Sequence, residues 1–538
     1  MLESEETLPE AVDLSRHLSA LARARTPSPL KNLQRYMNKP GLISMAGGTP
    51  NPMYFPFHTL SAEVLEKDAY PLELPAQSSS FSWFWRLFGS KSAERTTSFT
   101  IPKYPLKPDD INLAVSLQYS LATGMPQLSK VIREFTEKVY RPAYSNFQTL
   151  VHTGNTDGWG KCVFTLCNPG DGVLCSEWTY PSAMAGLRPY GVTPVPVGMD
   201  SQGMSSIDLR RVLFEWDPAA NGGMARPHII YTVPVGQNPT GATMGAIRKK
   251  EIYAICVEYD VVIVEDDPYY FLQQAAYVPK SERVKEAQVS GDETDFVASL
   301  APSFLRFDYQ GRVIRLDTFS KTVAPGSRLG WFTCNPMFAE RLERQSEVSS
   351  QMPCGFGQAM VASLLLKWQY PGYVRWLRAL HLQYQQRRDF MIDCLWDAFD
   401  LHASVATEGV QSGTVVYSAR LKTLKGSLNE KGGVSTRGTV FSFVPPTSGM
   451  FLWFKLHLDA HPAVATVGYK QLELKLWMAL LDADVMFSPG QMFSADEVVD
   501  ETPGAGHFRV SFSMTDEKET KKAVEIFAAI MREFFTEF

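Results

Sequence analysis

Seven short runs of strand-forming residues, at 149–152, 172–176, 192–197, 228–233, 261–265, 312–317 and 329–334, constrain this chain more than any other feature. Several are almost unbroken apolar runs, as in Val261-Val262-Ile263-Val264, and helical stretches such as 246–259 separate them. A strand buried on both faces reads that way, whereas a half-exposed strand alternates. Strands of this kind interleaved with helices imply an α/β fold with a mainly parallel seven-stranded sheet and helices on both faces. Ligands of such sheets bind beyond the carboxyl ends of the strands. Directly after four of the runs come Gly154-Asn155-Thr156-Asp157-Gly158, Gln237-Asn238-Pro239-Thr240-Gly241, Asp266-Asp267-Pro268-Tyr269 and Ser320-Lys321. Chemically capable side chains therefore gather on one edge of the sheet.

The rest of the chain sets the surroundings of that edge. Its 538 residues leave room for a large domain and a smaller α+β domain. The expected partition is an N-terminal arm belonging partly to the small domain (1–60), a partly inserted segment (61–107), the large domain (108–375) and the small domain (376–538). An amphipathic stretch at 371–399 connects the two domains. Strands are expected at 449–456, 485–487 and 508–512, and helices at 11–25, 127–140, 469–483 and 517–535. Residues 408–446 read as a loop-rich excursion, and 72–107, 276–310 and 410–440 as insertions. The aromatic clump Phe81-Ser82-Trp83-Phe84-Trp85 is expected to pack down on its domain.

With 52 basic against 57 acidic residues, the net charge of −5 argues against a nucleic-acid or membrane-surface protein. The seven cysteines form no CxxC pair, which points to a reducing compartment. No apolar run approaches the roughly eighteen residues of a membrane span, and the first thirty residues lack a secretory signal pattern. The cytoplasm is the expected location.

Within Arg315–Trp331, RLDTFSKTVAPGSRLGW, a strand breaks into a loop that places Lys321 among Thr318 and Ser320, with Arg328 seven residues on. A lysine can form an imine with an aldehyde, while hydroxyls and a guanidinium hold a phosphate. Pyridoxal phosphate carries both groups. The alternative is an ordinary surface lysine in a loop. The turn at 153–158 opens a helix, whose N-terminal N–H groups suit a phosphate. Three carboxylates, Glu265, Asp266 and Asp267, end an apolar strand and require something cationic. A metal is one candidate, although further ligands at metal spacing are missing nearby; a protonated pyridine nitrogen is the other. Tyr269 and Asn238 can then bond the phenolic oxygen of the ring. Arg509 interrupts the apolar run Phe508–Phe512 and needs a carboxylate, from the protein or from a substrate. His457 and His461 have HxxxH spacing, but Pro462 and the missing glutamate speak against zinc. A GxSxG elbow is absent.

Together, NPTG at 238–241, DDPYY at 266–270, Ser320-Lys321 and PGSRLGW at 325–331 resemble the class I/II, fold-type I aminotransferases that depend on pyridoxal phosphate. PSPL at 27–30, AGGTPNP at 46–52, LQYS at 117–120 and SGMFLWFKL at 448–456 extend the resemblance to the fungal aromatic amino acid aminotransferases and the kynurenine/2-aminoadipate aminotransferases. The resemblance implies Lys321 as cofactor-bonded lysine and catalytic base, and Asp266 on the pyridine nitrogen. It implies Asn238 and Tyr269 on the phenolic oxygen, and Tyr180 stacked on the ring. Thr318, Ser320 and Arg328 would hold the phosphate, with the 154–156 backbone helping; Gly154-Asn155-Thr156 stands where the family often has Gly-Ser-Gln, and Asn155 and Thr156 can still donate hydrogen bonds for cofactor binding. Arg509 would take the substrate carboxylate, with Asn238 and Gly48 lining the substrate site. Tyr119 would reach the phosphate of a second subunit, so a homodimer is implied. Lys31, where aminoadipate-type relatives carry arginine, weakens any transfer of their side-chain recognition. The expected reaction moves an amino group from an L-amino acid, of aromatic type, to a 2-oxo acid such as 2-oxoglutarate. A kynurenine/2-aminoadipate-type aminotransferase, a lyase or synthase using the same cofactor, and a cofactor-responsive regulator without catalysis are the alternatives.

Overall fold

The computed structural model describes residues 8–29, 36, 39, 41–43, 45–46, 48–72, 95–283, 291–422, 438–495 and 506–536. An antiparallel pair, β1 (Thr59–Leu65) and β2 (Thr96–Pro102), precedes the main sheet. That sheet contains β3 (Gln148–His152), β4 (Gly172–Ser176) and β5 (Thr193–Val197), then β8 (Ile229–Thr232), β9 (Val262–Asp266), β10 (Val313–Thr318) and β11 (Gly330–Cys334). Between them, β6 (Met199–Asp200) and β7 (Gly203–Met204) make a tight hairpin. The order is β3-β11-β10-β9-β8-β4-β5, and only β11 runs antiparallel to its neighbours. All seven expected runs are present.

Two apolar layers fix the register. Val262, Val264, Ile314, Leu316 and Phe332 face one layer, and Ile263, Val313 and Trp331 the other. Each fully buried side chain of this size contributes about 1.5–3 kcal/mol, and a one-residue slip would exchange every face. A second sheet, entirely antiparallel, contains β12 (Phe399–Val405), β13 (Val415–Leu421), β14 (Phe441–Phe443), β15 (Phe451–Leu456), β16 (Ser488–Pro489) and β17 (Gly506–Ser511). Its order is β12-β13-β14-β15-β17-β16. Helices Tyr469–Asp482 and Glu517–Thr536 bury Leu472, Leu476, Leu480, Phe527 and Met531 in its core. The helical run Gly355–Ala398 kinks at Gln369, whose positive φ of 56° precedes Pro371, so its second half matches the expected 371–399 helix.

The two sheets meet where the site lies. Gly236 and Gly449 touch backbone to backbone, and a Cβ on Gly236 would fall 2.7 Å from the Gly449 Cα. The N–H of Gly449 donates to the carbonyl of Leu272, and that of Gln274 to Thr447, so the segment after β9 is stitched to the second sheet.

Four expectations are corrected. Residues 408–446 contain β13 and β14 rather than loop alone. In β13 the buried positions Tyr417, Ala419 and Leu421 alternate with Ser418 and Arg420, and the small alanine at the centre makes the apolar face weak. The strand expected at 485–487 falls at β16 instead, while Val485 and Phe487 enter the core. The 11–25 helix is limited to a 3₁₀ turn, Ser15–His17, and a short helix, Ala20–Ala24. Within 72–107, the Thr96–Pro102 segment is a paired strand; the clump at 81–85 lies outside the described residues, as do 284–290 and 423–437 of the other two insertions. Among the described residues no helix is long and apolar enough to cross a membrane.

The N-terminal segment docks through His17, which is 3% exposed. Its ring bonds His228 at 3.0 Å and Asp260 at 3.1 Å. Burial depresses its pKa from 6.5 to about 4, opposed by Asp260. The unfolded chain therefore takes up a proton that the fold refuses. Stability from this residue is complete above pH 6.5 and is lost as pH falls toward 4. At pH 5 the loss is about 2 kcal/mol. Urea midpoints measured between pH 7 and 5 should fall, and less steeply for His17→Gln; equal slopes would refute the assignment.

Candidate active site

The carboxyl ends of β3, β8, β9 and β10 open into a cleft of about 420 Å³ closed from the second sheet by Met450, Phe451, Arg509 and Ser511. Asn155, Thr156, Tyr180, Asn238, Asp266, Tyr269, Thr318, Ser320, Lys321 and Arg328 all line it. Ten of the residues singled out from sequence thus converge from one sheet edge, and Arg509 arrives from the opposite wall. Gly48 and Tyr119 do not line the cleft of the single chain; both are exposed, Tyr119 by 56%.

At the floor, Asp266 ends β9 and is 6% exposed. The Tyr231 hydroxyl donates to Oδ2 at 2.7 Å, and the Asn155 amide to Oδ1 at 2.6 Å. Burial raises its pKa, against the pull of these two donors. Its neighbours are paired from within the protein by one guanidinium. Arg315, fully buried on β10, stands in register with Glu265. It reaches Glu265 at 3.2 Å, Asp267 at 3.0 Å and Asp317 at 2.9 Å. Asp266 is left as the carboxylate of this cluster that faces the cleft. Among the described residues no cluster of ligand side chains could hold a metal ion.

Lys321 follows β10. No hydrogen bond or ion pair engages its amine among the described residues, and burial, then Arg509 and Arg328, lowers its pKa. Beside it, the Thr318 hydroxyl donates to Ser320 Oγ at 2.8 Å, and Arg328 Nη1 stands 3.4 Å from the same oxygen. Arg328 adopts a left-handed backbone conformation, φ 47°, and its Nη2 reaches the carbonyl of Thr153 at 3.2 Å. Gly154, φ 101°, caps the helix Asn155–Leu166, and a Cβ there would lie 2.1 Å from Arg328 Nη2. The positive φ suits glycine, and a side chain here would displace the guanidinium that lies over the helix N-terminus.

On the opposite wall, Arg509 of β17 lies between the rings of Phe451 and Phe493, 4.4 and 4.7 Å from their centroids. Nη1 donates to Asn238 Oδ1 at 2.8 Å and Nη2 to Ser488 Oγ at 3.2 Å, while Nε is buried without a partner. No described carboxylate pairs with it, so of the two partners considered from sequence the protein acid is absent among the described residues.

These features fit pyridoxal phosphate: an uncommitted amine, a buried carboxylate at the cleft floor, and a cup of hydroxyls, guanidinium and helix N–H groups kept open by Gly154. Tyr231, Phe451 and Phe493 escaped the sequence reading. Tyr231 alone carried a signal, a hydroxyl inside the apolar strand Ile229–Thr232 that needs a buried partner.

The family model described as aminotransferase class I and II matches residues 116–418. An aromatic amino acid aminotransferase of Schizosaccharomyces pombe is 33% identical, covering 97% of this chain and 98% of the relative. An L-tyrosine:2-oxoglutarate aminotransferase of Tapinella panuoides is 31% identical, covering 98% and 97%. The crystal structure of the aminotransferase Aro8 from Candida albicans superposes with a TM-score of 0.80 at 32% identity, covering 98% and 99%. The fold and the cleft define an aminotransferase of fold type I. The chain belongs to the class I and II aminotransferases, whose cofactor is pyridoxal phosphate.

Proposed function

We propose that the enzyme transfers the amino group of an aromatic L-amino acid to a 2-oxo acid such as 2-oxoglutarate. The observation that carries this reading is one cleft in which the free amine of Lys321 shares space with a half-buried guanidinium, Arg509, that has no described carboxylate partner. The names of the relatives support the aromatic donor, and Tyr180, Tyr231, Tyr269 and Phe451 supply aromatic walls.

Bound in this cleft, pyridoxal phosphate supplies an aldehyde for the amino group and a cationic ring that accepts electrons from Cα. Lys321 Nζ would take and return the Cα proton, and its lowered pKa favours the neutral base. Asp266 holds the proton on the ring nitrogen. Asn238, whose Oδ1 is occupied by Arg509, keeps its amide N–H for the phenolic oxygen beside Tyr269, and Tyr180 covers a ring face. Thr318, Ser320, Arg328, Thr156 and the N–H groups at 155–156 hold the phosphate. Arg509 binds the α-carboxylate that donor and acceptor have in common.

Screening the twenty amino acids against 2-oxoglutarate, with absorbance of the cofactor as readout, tests the assignment; aromatic donors should lead, and turnover without a 2-oxo acid would favour a lyase. Arg509→Ala should lower kcat/KM by about 10²-fold for donor and acceptor alike, and Arg509→Lys should recover only part of it. A loss confined to one substrate would count against a shared carboxylate site.

A homodimer is part of the same reading. Tyr119 is exposed outside the cleft, and Ile43, Met45, Tyr54 and Leu106 are exposed by 87%, 94%, 83% and 102%. Large apolar side chains left this exposed are ones that a subunit interface would cover. Sedimentation velocity should give twice the chain mass; a fully active monomer would refute it.

A further inference from the structure

The resemblance placed Asn155 in the loop that helps hold the phosphate. From its contacts we infer instead that the Asn155 side chain is a positioning residue for Asp266, acting on the ring side of the cofactor; this rests on the reading above. A side-chain amide has two N–H donors and one acceptor. One N–H reaches Asp266 Oδ1 at 2.6 Å, and Nδ2 also lies 3.1 Å from the carbonyl of Leu316. Both donors are thereby spent. What remains is Oδ1, which is buried and has no partner. An acceptor cannot bond the oxygens of a phosphate dianion. The reverse amide orientation would set Oδ1 against a carboxylate and a carbonyl, so the chemistry of the two neighbours selects the one observed.

The placement explains the effect. Asp266 and Leu316 are register partners on the adjacent strands β9 and β10. Asn155, at the start of its helix, bridges the two and fixes the Asp266 carboxylate relative to the sheet. Tyr231 on β8 holds the other oxygen at 2.7 Å. With both oxygens anchored by donors, the ionised form is favoured against burial, and one direction remains open toward the cleft. Thr156, the next residue, lines the cleft with no described hydrogen bond on its hydroxyl, so it is the side chain of this pair suited to the phosphate.

The test compares binding of pyridoxal phosphate, phosphate-free pyridoxal and inorganic phosphate to the cofactor-free enzyme, by absorbance for the first two and by competition for the third. Asn155→Ala should weaken pyridoxal phosphate and pyridoxal by the same factor, about 10- to 100-fold, and leave inorganic phosphate unchanged. Asn155→Asp, isosteric but placing a second carboxylate against Asp266, should bind both ring compounds more weakly than the alanine variant. Thr156→Val should show the opposite pattern, weakening pyridoxal phosphate and inorganic phosphate and sparing pyridoxal. An Asn155→Ala enzyme that loses inorganic phosphate, or that binds pyridoxal as tightly as wild type, would overturn the inference. Wild-type enzyme that binds no pyridoxal phosphate would instead sink the functional reading beneath it.

Discussion

Lys321→Ala is expected to retain pyridoxal phosphate after gel filtration yet to lose turnover by at least about 10⁴-fold, the upper range for removal of a positioned proton-transfer group. Retention follows because the cup built from Thr318, Ser320 and Arg328, with the Gly154-capped helix end, does not involve the lysine. Loss of turnover follows because, among the described residues lining the cleft, no other amine is present: the remaining nitrogen bases are the guanidinium groups of Arg328 and Arg509, and the tyrosines Tyr231 and Tyr269 have pKa values raised by burial. Following the cofactor absorbance in a single turnover separates the steps. If the variant exchanges the amino group at wild-type rate, Lys321 is not the base and the assignment fails.

Much of this arrangement was legible in the sequence, for a physical reason. Strands buried on both faces are written as apolar runs, so all seven members of the large sheet could be placed, and the carboxyl-end rule then gathered Asn155, Asn238, Asp266 and Lys321. What escaped depends on which strands become neighbours. Arg315 was read as one polar residue of a strand, yet its partners Glu265 and Asp267 are supplied by the register of β10 on β9. The cation demanded by Glu265-Asp266-Asp267 is therefore largely internal, and only Asp266 is left facing the cleft. The aromatic clamp on Arg509 likewise joins Phe451 of β15 to Phe493 of a separate turn, with no spacing to announce it. Strands β13 and β14 were missed because β14 has only three residues and the inward face of β13 carries a small alanine at its centre. Asn155 was found as a residue, but its direction was not readable, since an amide beside a glycine turn can face a phosphate or a carboxylate equally well.

Asp266→Asn should reduce kcat by about 10³-fold while leaving the cofactor bound, a loss comparable to removing one preorganised electrostatic group from a buried site. The asparagine keeps the volume, so the cleft should survive. Its amide cannot balance a positive charge, so the residue would no longer hold a proton on the ring nitrogen of a bound cofactor, on which acceptance of electrons from Cα would depend. Two features of the wild-type site make the charge decisive. Burial alone pushes the Asp266 carboxyl toward its neutral form, whereas the Tyr231 hydroxyl and Asn155 amide pull toward the ionised form. A cation arriving at the remaining open side adds to that pull, so ring protonation and carboxylate ionisation support each other. In Asp266→Asn the amide oxygen can keep the Asn155 N–H while its NH₂ turns to the Tyr231 hydroxyl, which can accept. The variant should therefore keep most of its thermal stability, and Asp266→Glu should keep more activity than Asp266→Asn despite its extra methylene. Should the asparagine enzyme retain more than a tenth of wild-type kcat, Asp266 is not the electron-sink partner, and a neutral ring must be carrying the chemistry.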